Sequence, residues 1–174
     1  LSARLHHALA NGYQHVLAAV MPGVRPVRIA AAGLEEAPLP TAGGVATGFS
    51  AGVDSFAVVR DHLVRDVPAG QRLTHLTFHN VGSHGTRDPA RARALFRARY
   101  AAIRGFPDGL GLPFVAVDSN LGEVLPFDFE QTHTTRNLAA ALALQKLFRR
   151  FYYASTFHYR DVAVRRHHDS AIAD

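Results

Sequence analysis

Apolar and polar positions recur along this chain with two different periods, and the switches between them mark out its elements. Leu5, Leu9, Tyr13, Val16, Leu17 and Val20 fall at helical spacing, so residues 2–20 read as an amphipathic helix stopped by Met21-Pro22-Gly23. Residues 27–31 are a short strand candidate, and 34–43, with their prolines and glycines, read as a loop. A strand over 44–49 follows, then a helix over 53–65 with Phe56, Val59 and Leu63 as its buried stripe. Residues 73–79 alternate as a strand and end in a polar, glycine-bearing loop, 80–85. Asp88 and Pro89 supply an N-cap and a first-turn proline for a helix to about Arg104. A continuous apolar strand at 113–117, a helix over 132–150, a strand at 151–155 and a loop at 156–159 complete the order.

Strands alternating with helices predict an α/β fold: a doubly wound parallel sheet, right-handed crossovers and helices on both faces. Ligands of such sheets bind beyond the carboxyl ends of the strands. That rule selects the polar groups after each strand, namely Ser50 to Ser55, Asn80 to His84, Asp118 to Asn120, and Ser155 to Tyr159.

Composition narrows the class. With 174 residues, 48% of them hydrophobic, the chain holds one domain's worth of core. No apolar run reaches the ~20 residues of a membrane span and no signal-peptide pattern opens the sequence, which suits a cytoplasmic protein with no membrane contact. The ends at Leu1 and Asp174 read as cuts in something longer. Absence of cysteine removes disulfides, thiolate zinc sites and cysteine nucleophiles. The formal charge of +5 comes almost wholly from arginine, since Lys146 is the sole lysine. Arg91, Arg93, Arg97, Arg99 and Arg104 read as a solvated helix face, with a nucleic-acid patch as the lesser reading because a charge run is usually solvated surface. The histidines in predicted loops or strand ends (His79, His84, His133, His158 and the pair His167-His168 beside Asp169) have no zinc spacing. His79 reads as a packed strand residue.

The most informative stretch is 44–62. An apolar run ends in Gly48-Phe49-Ser50, turns through Ala51-Gly52 and enters a helix at Val53. A strand, a small-residue turn and a helix start together make an anion site: the first-turn N–H groups lack partners, and the helix dipole adds positive charge. Ser50 and Ser55 bring hydroxyls, and Asp54 is placed to hold a cation beside bound phosphates. The string Ser50-Ala51-Gly52-Val53-Asp54-Ser55 resembles the Ser-Gly-Gly-x-Asp-Ser loop of the PP-loop ATP pyrophosphatase family, matching at five of six positions with Ala51 for the first glycine.

The resemblance divides the chain into an N-terminal helix, short strand and linker (1–43) and a nucleotide-binding domain (44–174). It implies ATP with its phosphates held by Ser50, Ala51, Gly52, Val53, Asp54 and Ser55, and Mg²⁺ on Asp54. Adenine would lie against Phe49 and Asn80-Val81-Gly82, and Ser155 would match the family's second polar strand end. The implied reaction is adenylylation of a carboxylate, amide or carbonyl oxygen of a small molecule with release of pyrophosphate, as in amide- or amidine-forming ligases. Arg136 and His133, at the start of the long helix, are the candidates for stabilising charge; a surface position for Arg136 is the alternative. Homo-oligomer formation is left open.

Three other readings use the same residues, the plainest being a tight strand-to-helix turn with no ligand. A module that holds a nucleotide without turning it over would keep the loop. Gly48-Phe49-Ser50-Ala51-Gly52 also fits the G-x-S-x-G elbow of α/β-hydrolases, with Ser50 as nucleophile and Asp118 and His133 or His158 as partners. The elbow gives no reason for Asp54-Ser55, and the segment before Gly48 lacks an oxyanion loop of HGGG type.

Overall fold

Four short strands pair in parallel in the order β3-β2-β1-β4, where β1 is Gly44–Gly48, β2 His75–Asn80, β3 Phe114–Asp118 and β4 Phe148–Tyr152. This is a computed structural model that describes residues 1–85 and 88–154. The sequence-based expectations for Ser155, His158 and Tyr159 and for the group His167-His168-Asp169 fall outside the described residues. Before the sheet come α1 (Ala3–Ala8) and α2 (Gln14–Val20), joined by a π-turn over Leu9–Tyr13. After β1 comes α3 (Val53–Val59), which runs on into a second π-turn, Arg60–Val64. Then follow α4 (Pro89–Ile103), α5 (Gly105–Gly109), α6 (Leu121–Val124) and α7 (Phe129–Ala143).

The register follows from which side chains each face has to bury. Thr47 pairs with Leu76 on one side and with Tyr152 on the other, and Leu76 pairs with Phe114. Val45 and Leu76 therefore share a face and form a core cluster with Phe49, Val59 and Leu73. On that face Phe78 stacks on Phe96 of α4 at 5.4 Å, and Phe114 on Tyr100 at 4.7 Å. Successive strand residues point to opposite faces. His79 thus turns away from α4, and its ring bonds to Asn137 of α7 at 3.1 Å. The sheet carries α4 on one face and α7 on the other. Among the described residues no helix is long and apolar enough to cross a membrane.

Several boundaries differ from the sequence reading. Residues 27–31 form no strand: Val27 is exposed, and its N–H is taken by the Gln14 side chain at 2.8 Å rather than by a neighbouring strand. The helix expected over 132–150 begins earlier, at Phe129, and ends at Ala143, while β4 begins at Phe148 instead of 151. Pairing of Phe148 with Gly44 and of Arg150 with Val45 completes the sheet and buries Phe148, which outweighs the helical propensity of residues 144–150. Of the stripe expected on the helix after β1, Val59 is buried and Leu63 packs against the core, but Phe56 stays partly exposed beside Phe49 and Phe106. The short helices α5 and α6 were not foreseen.

Candidate functional site

The strand order reverses between β1 and β4: the chain steps outward from β1 to β2 to β3, then returns to the other side of β1. Two crossovers leaving in opposite directions open a crevice at the carboxyl ends of the adjoining strands, the usual binding place in parallel sheets. A cleft of about 370 Å³ lies there, within the range of small-ligand sites. It is lined by Thr47 to Ser50 from β1 and its turn, by Asp54 and Ser55 from α3, and by Thr77 to His79 from β2. Phe129 and Asn137 of α7, Ser83, and Tyr152 to Ala154 close it.

The turn itself is held by its ends. Phe49 N–H donates to the Thr77 carbonyl at 2.8 Å, so the chain stays on the sheet for one residue past β1. Ala51 then adopts φ 59°, the left-handed region, the sole non-glycine residue to do so among those described. This is the position where the resembled loop carries glycine. Gly52, with ordinary extended geometry, is the N-cap of α3, and no side chain caps the helix. The first-turn N–H groups have no intrahelical acceptor, and Asp54 and Ser55 of that turn border the cleft. Asp54 is exposed. Ser55 is buried, and its hydroxyl donates to the Gly52 carbonyl at 2.7 Å. It is therefore not free to donate to a phosphate while that bond is made. Phe49 lines the cleft, but its ring is buried among Phe56, Phe106 and Phe114, stacked on Phe106 at 5.0 Å.

Five other expected site residues, Asn80, Val81, Gly82, Arg136 and His133, are placed outside the lining of this cleft. Asn80 and Gly82 line a separate, water-sized crevice with Ser119, Gly122 and Glu123. The Asn80 amide donates to Asp118 at 2.6 Å, which fixes the ends of β2 and β3 together. Val81 is fully buried. Arg136 is neither a surface residue nor a lining one. Its guanidinium is buried, donating to Thr132 Oγ1 at 2.7 Å and to the carbonyls of Val81 at 3.1 Å and Phe127 at 2.6 Å. It clamps the segment after β2 to the start of α7. Gly82 is required beside it: φ is 95°, and a Cβ would stand 2.5 Å from Arg136 Nη1. His133 is outside the cleft lining but touches lining residues: its Nδ1 lies 3.0 Å from the Tyr153 hydroxyl, and its ring lies 6.0 Å from that of Phe129.

His79 and Asn137 were not anticipated as site residues, yet both line the cleft. His79 Nδ1 meets Asn137 Oδ1 at 3.1 Å, and Asn137 Nδ2 donates to the His133 carbonyl at 2.8 Å. Burial holds the His79 imidazole below its ordinary pKa, with the Asn137 bond acting weakly in the other direction. The sequence signal was present in outline: His79 follows Thr77 by two on a strand, and Asn137 follows His133 by four on a helix. Which face α7 would cover was not.

Among the described residues lining the cleft, Asp54 is the one formally charged side chain, and no group of three metal-ligating residues occurs among the described residues. A single exposed carboxylate beside a run of amides fits Mg²⁺, which keeps several waters and takes most other oxygens from a phosphate ligand. It does not fit an all-protein transition-metal site. No family model, curated protein or solved structure matches this chain.

Proposed function

We propose that the chain is an ATP-binding domain of the PP-loop ATP pyrophosphatase kind, built on a doubly wound sheet. Its reaction is adenylylation of a carboxylate, amide or carbonyl oxygen. The observation that carries this reading is the Gly48–Ser55 turn, which opens at the reversal of strand order and keeps a left-handed residue where the resembled loop has glycine. The cost of holding Ala51 there is of the kind retained at ligand sites.

In this reading the N–H groups of the first turn of α3 and the Ser50 hydroxyl hold the phosphates, and Asp54 holds Mg²⁺. The bound cation supplies charge neutralisation for the phosphates. The base lies along the wall formed by Thr77 to His79 and Phe129, since residues 80–82 are not part of the cleft lining. A substrate oxygen attacks the α-phosphorus; the new O–P bond forms as the α–β bridging bond breaks and pyrophosphate leaves. The absence of a cationic side chain among the described lining residues favours, as a second reading, a domain that binds the nucleotide without turning it over. The hydrolase elbow draws less support: an elbow strains its serine, whereas here the strained residue is Ala51 and Ser50 is not among the positive-φ residues.

Pyrophosphate release separates the first two. Incubation with Mg·ATP and a panel of carboxylic acids and amides is expected to give, with at least one of them, pyrophosphate in an amount equal to the adenylylated substrate plus any AMP released from it by hydrolysis. Tight nucleotide binding without release across the panel would favour the binding module. Labelling of Ser50 by a fluorophosphonate would favour the hydrolase.

A further inference from the structure

The His79–Asn137 pair deepens the nucleotide reading and rests on it. Asn137 Nδ2 is committed to the His133 carbonyl, so Oδ1 is the atom facing His79. That oxygen accepts, which makes Nδ1 the protonated nitrogen of the ring and leaves Nε2 with its lone pair. His79 is 7% exposed, and its Nε2 is buried, with no hydrogen-bond partner among the described residues. The ring stacks on Phe151 at 6.0 Å and 22°, which fixes its plane, and it forms part of the cleft wall. A buried acceptor with no donor is costly in a native protein and needs an explanation. Here the unmet acceptor belongs to a residue that lines the cleft beside the turn.

We propose that His79 Nε2 is the acceptor for an N–H or O–H group of the bound nucleotide, with Asn137 as the residue that fixes its tautomer. Nε2 has no exposed surface without the ligand, so this pairing requires the ring to slide within its plane on binding. Two groups of ATP carry the required chemistry: the 6-amino group of the base and the hydroxyls of the ribose. A 6-oxopurine would oppose lone pair to lone pair, and a deoxyribose would leave Nε2 bare. The subsite therefore discriminates by donor, and bulk water does not compete for it.

Affinity of the whole chain for Mg·ATP, Mg·ITP, Mg·2′-dATP and Mg·3′-dATP, measured by calorimetry, tests this directly. The expected result is that one analogue binds at least about tenfold more weakly than ATP, the analogue identifying the donor. In His79→Phe, checked for native circular dichroism, that ratio falls to about one. In His79→Gln, whose side-chain carbonyl is also an acceptor, a preference is retained. Equal affinities for all four nucleotides in the wild type would overturn the proposal while leaving nucleotide binding intact. So would a preference that survives unchanged in His79→Phe. Should His79→Phe fail to fold, the wild-type series and His79→Gln decide. If none of the four binds the wild type, the nucleotide reading itself fails and takes this one with it.

Discussion

Ala51 stands in a conformation that crowds any L side chain, with its Cβ against the following carbonyl. Glycine there would relieve about 1 kcal/mol of strain, part of which is offset by the larger freedom of glycine in the unfolded chain. Ala51→Gly is therefore expected to raise the urea midpoint, a gain of about 0.5 kcal/mol; a lowered midpoint would show that the left-handed turn is absent in solution. The Gly48–Ser55 turn was legible in the sequence because all its determinants lie within eight residues: strand end, small residues, helix start. Asn80, Arg136 and His79 were not. Their roles depend on which face of the sheet each side chain takes and on what helix covers it. Arg136 looked like a catalytic charge by type alone, and the fold spends it on the Val81 and Phe127 carbonyls. His79 looked like a packed strand residue and is one, buried and bonded to Asn137; what strand position did not show is that it also borders the cleft.

Elements with local start signals appeared where expected. Asp88 accepts from the N–H groups of Ala90 at 2.9 Å and Arg91 at 3.3 Å, with Pro89 in the first turn of α4. Asp88→Ala is expected to cost about 1 kcal/mol, read from thermal or urea unfolding; an unchanged midpoint would mean that α4 does not depend on this cap. Elements whose limits are set by tertiary pairing were less legible. Residues 144–150 have helix-forming side chains, but β1 has a free edge that only another strand can pair, and Phe148 to Tyr152 take it. The strand candidate at 27–31 is the converse case. Its apolar residues suit a strand, but its backbone bonds go to side chains of the N-terminal helices: the Val27 N–H to Gln14 Oε1 and the Ile29 carbonyl to the His6 ring.

At the scale of the molecule, the reversal of strand order sets the cleft, and the sequence predicted the layer pattern that produces it without giving that order. The buried histidines give the whole fold a pH dependence. Burial holds His75, His79 and His84 below their ordinary pKa, helped for His84 by the nearby Arg99 guanidinium. The unfolded chain takes up protons below about pH 6.5 that the native state refuses, so stability rises with pH across that window. It is complete above the unfolded pKa and declines below it until the native groups themselves titrate. The urea midpoint is expected to be lower at about pH 5.5 than at about pH 7.5, and the difference to shrink in His79→Gln. A flat profile would place these rings in water.

Calorimetric titration of Mg·ATP into the chain and into Asp54→Ala is the most direct test of the site. The account predicts a saturable heat in the wild type, competed by pyrophosphate, and at least about a tenfold loss of affinity in Asp54→Ala. No heat of binding at millimolar Mg·ATP, or equal affinity in the two proteins, would contradict it.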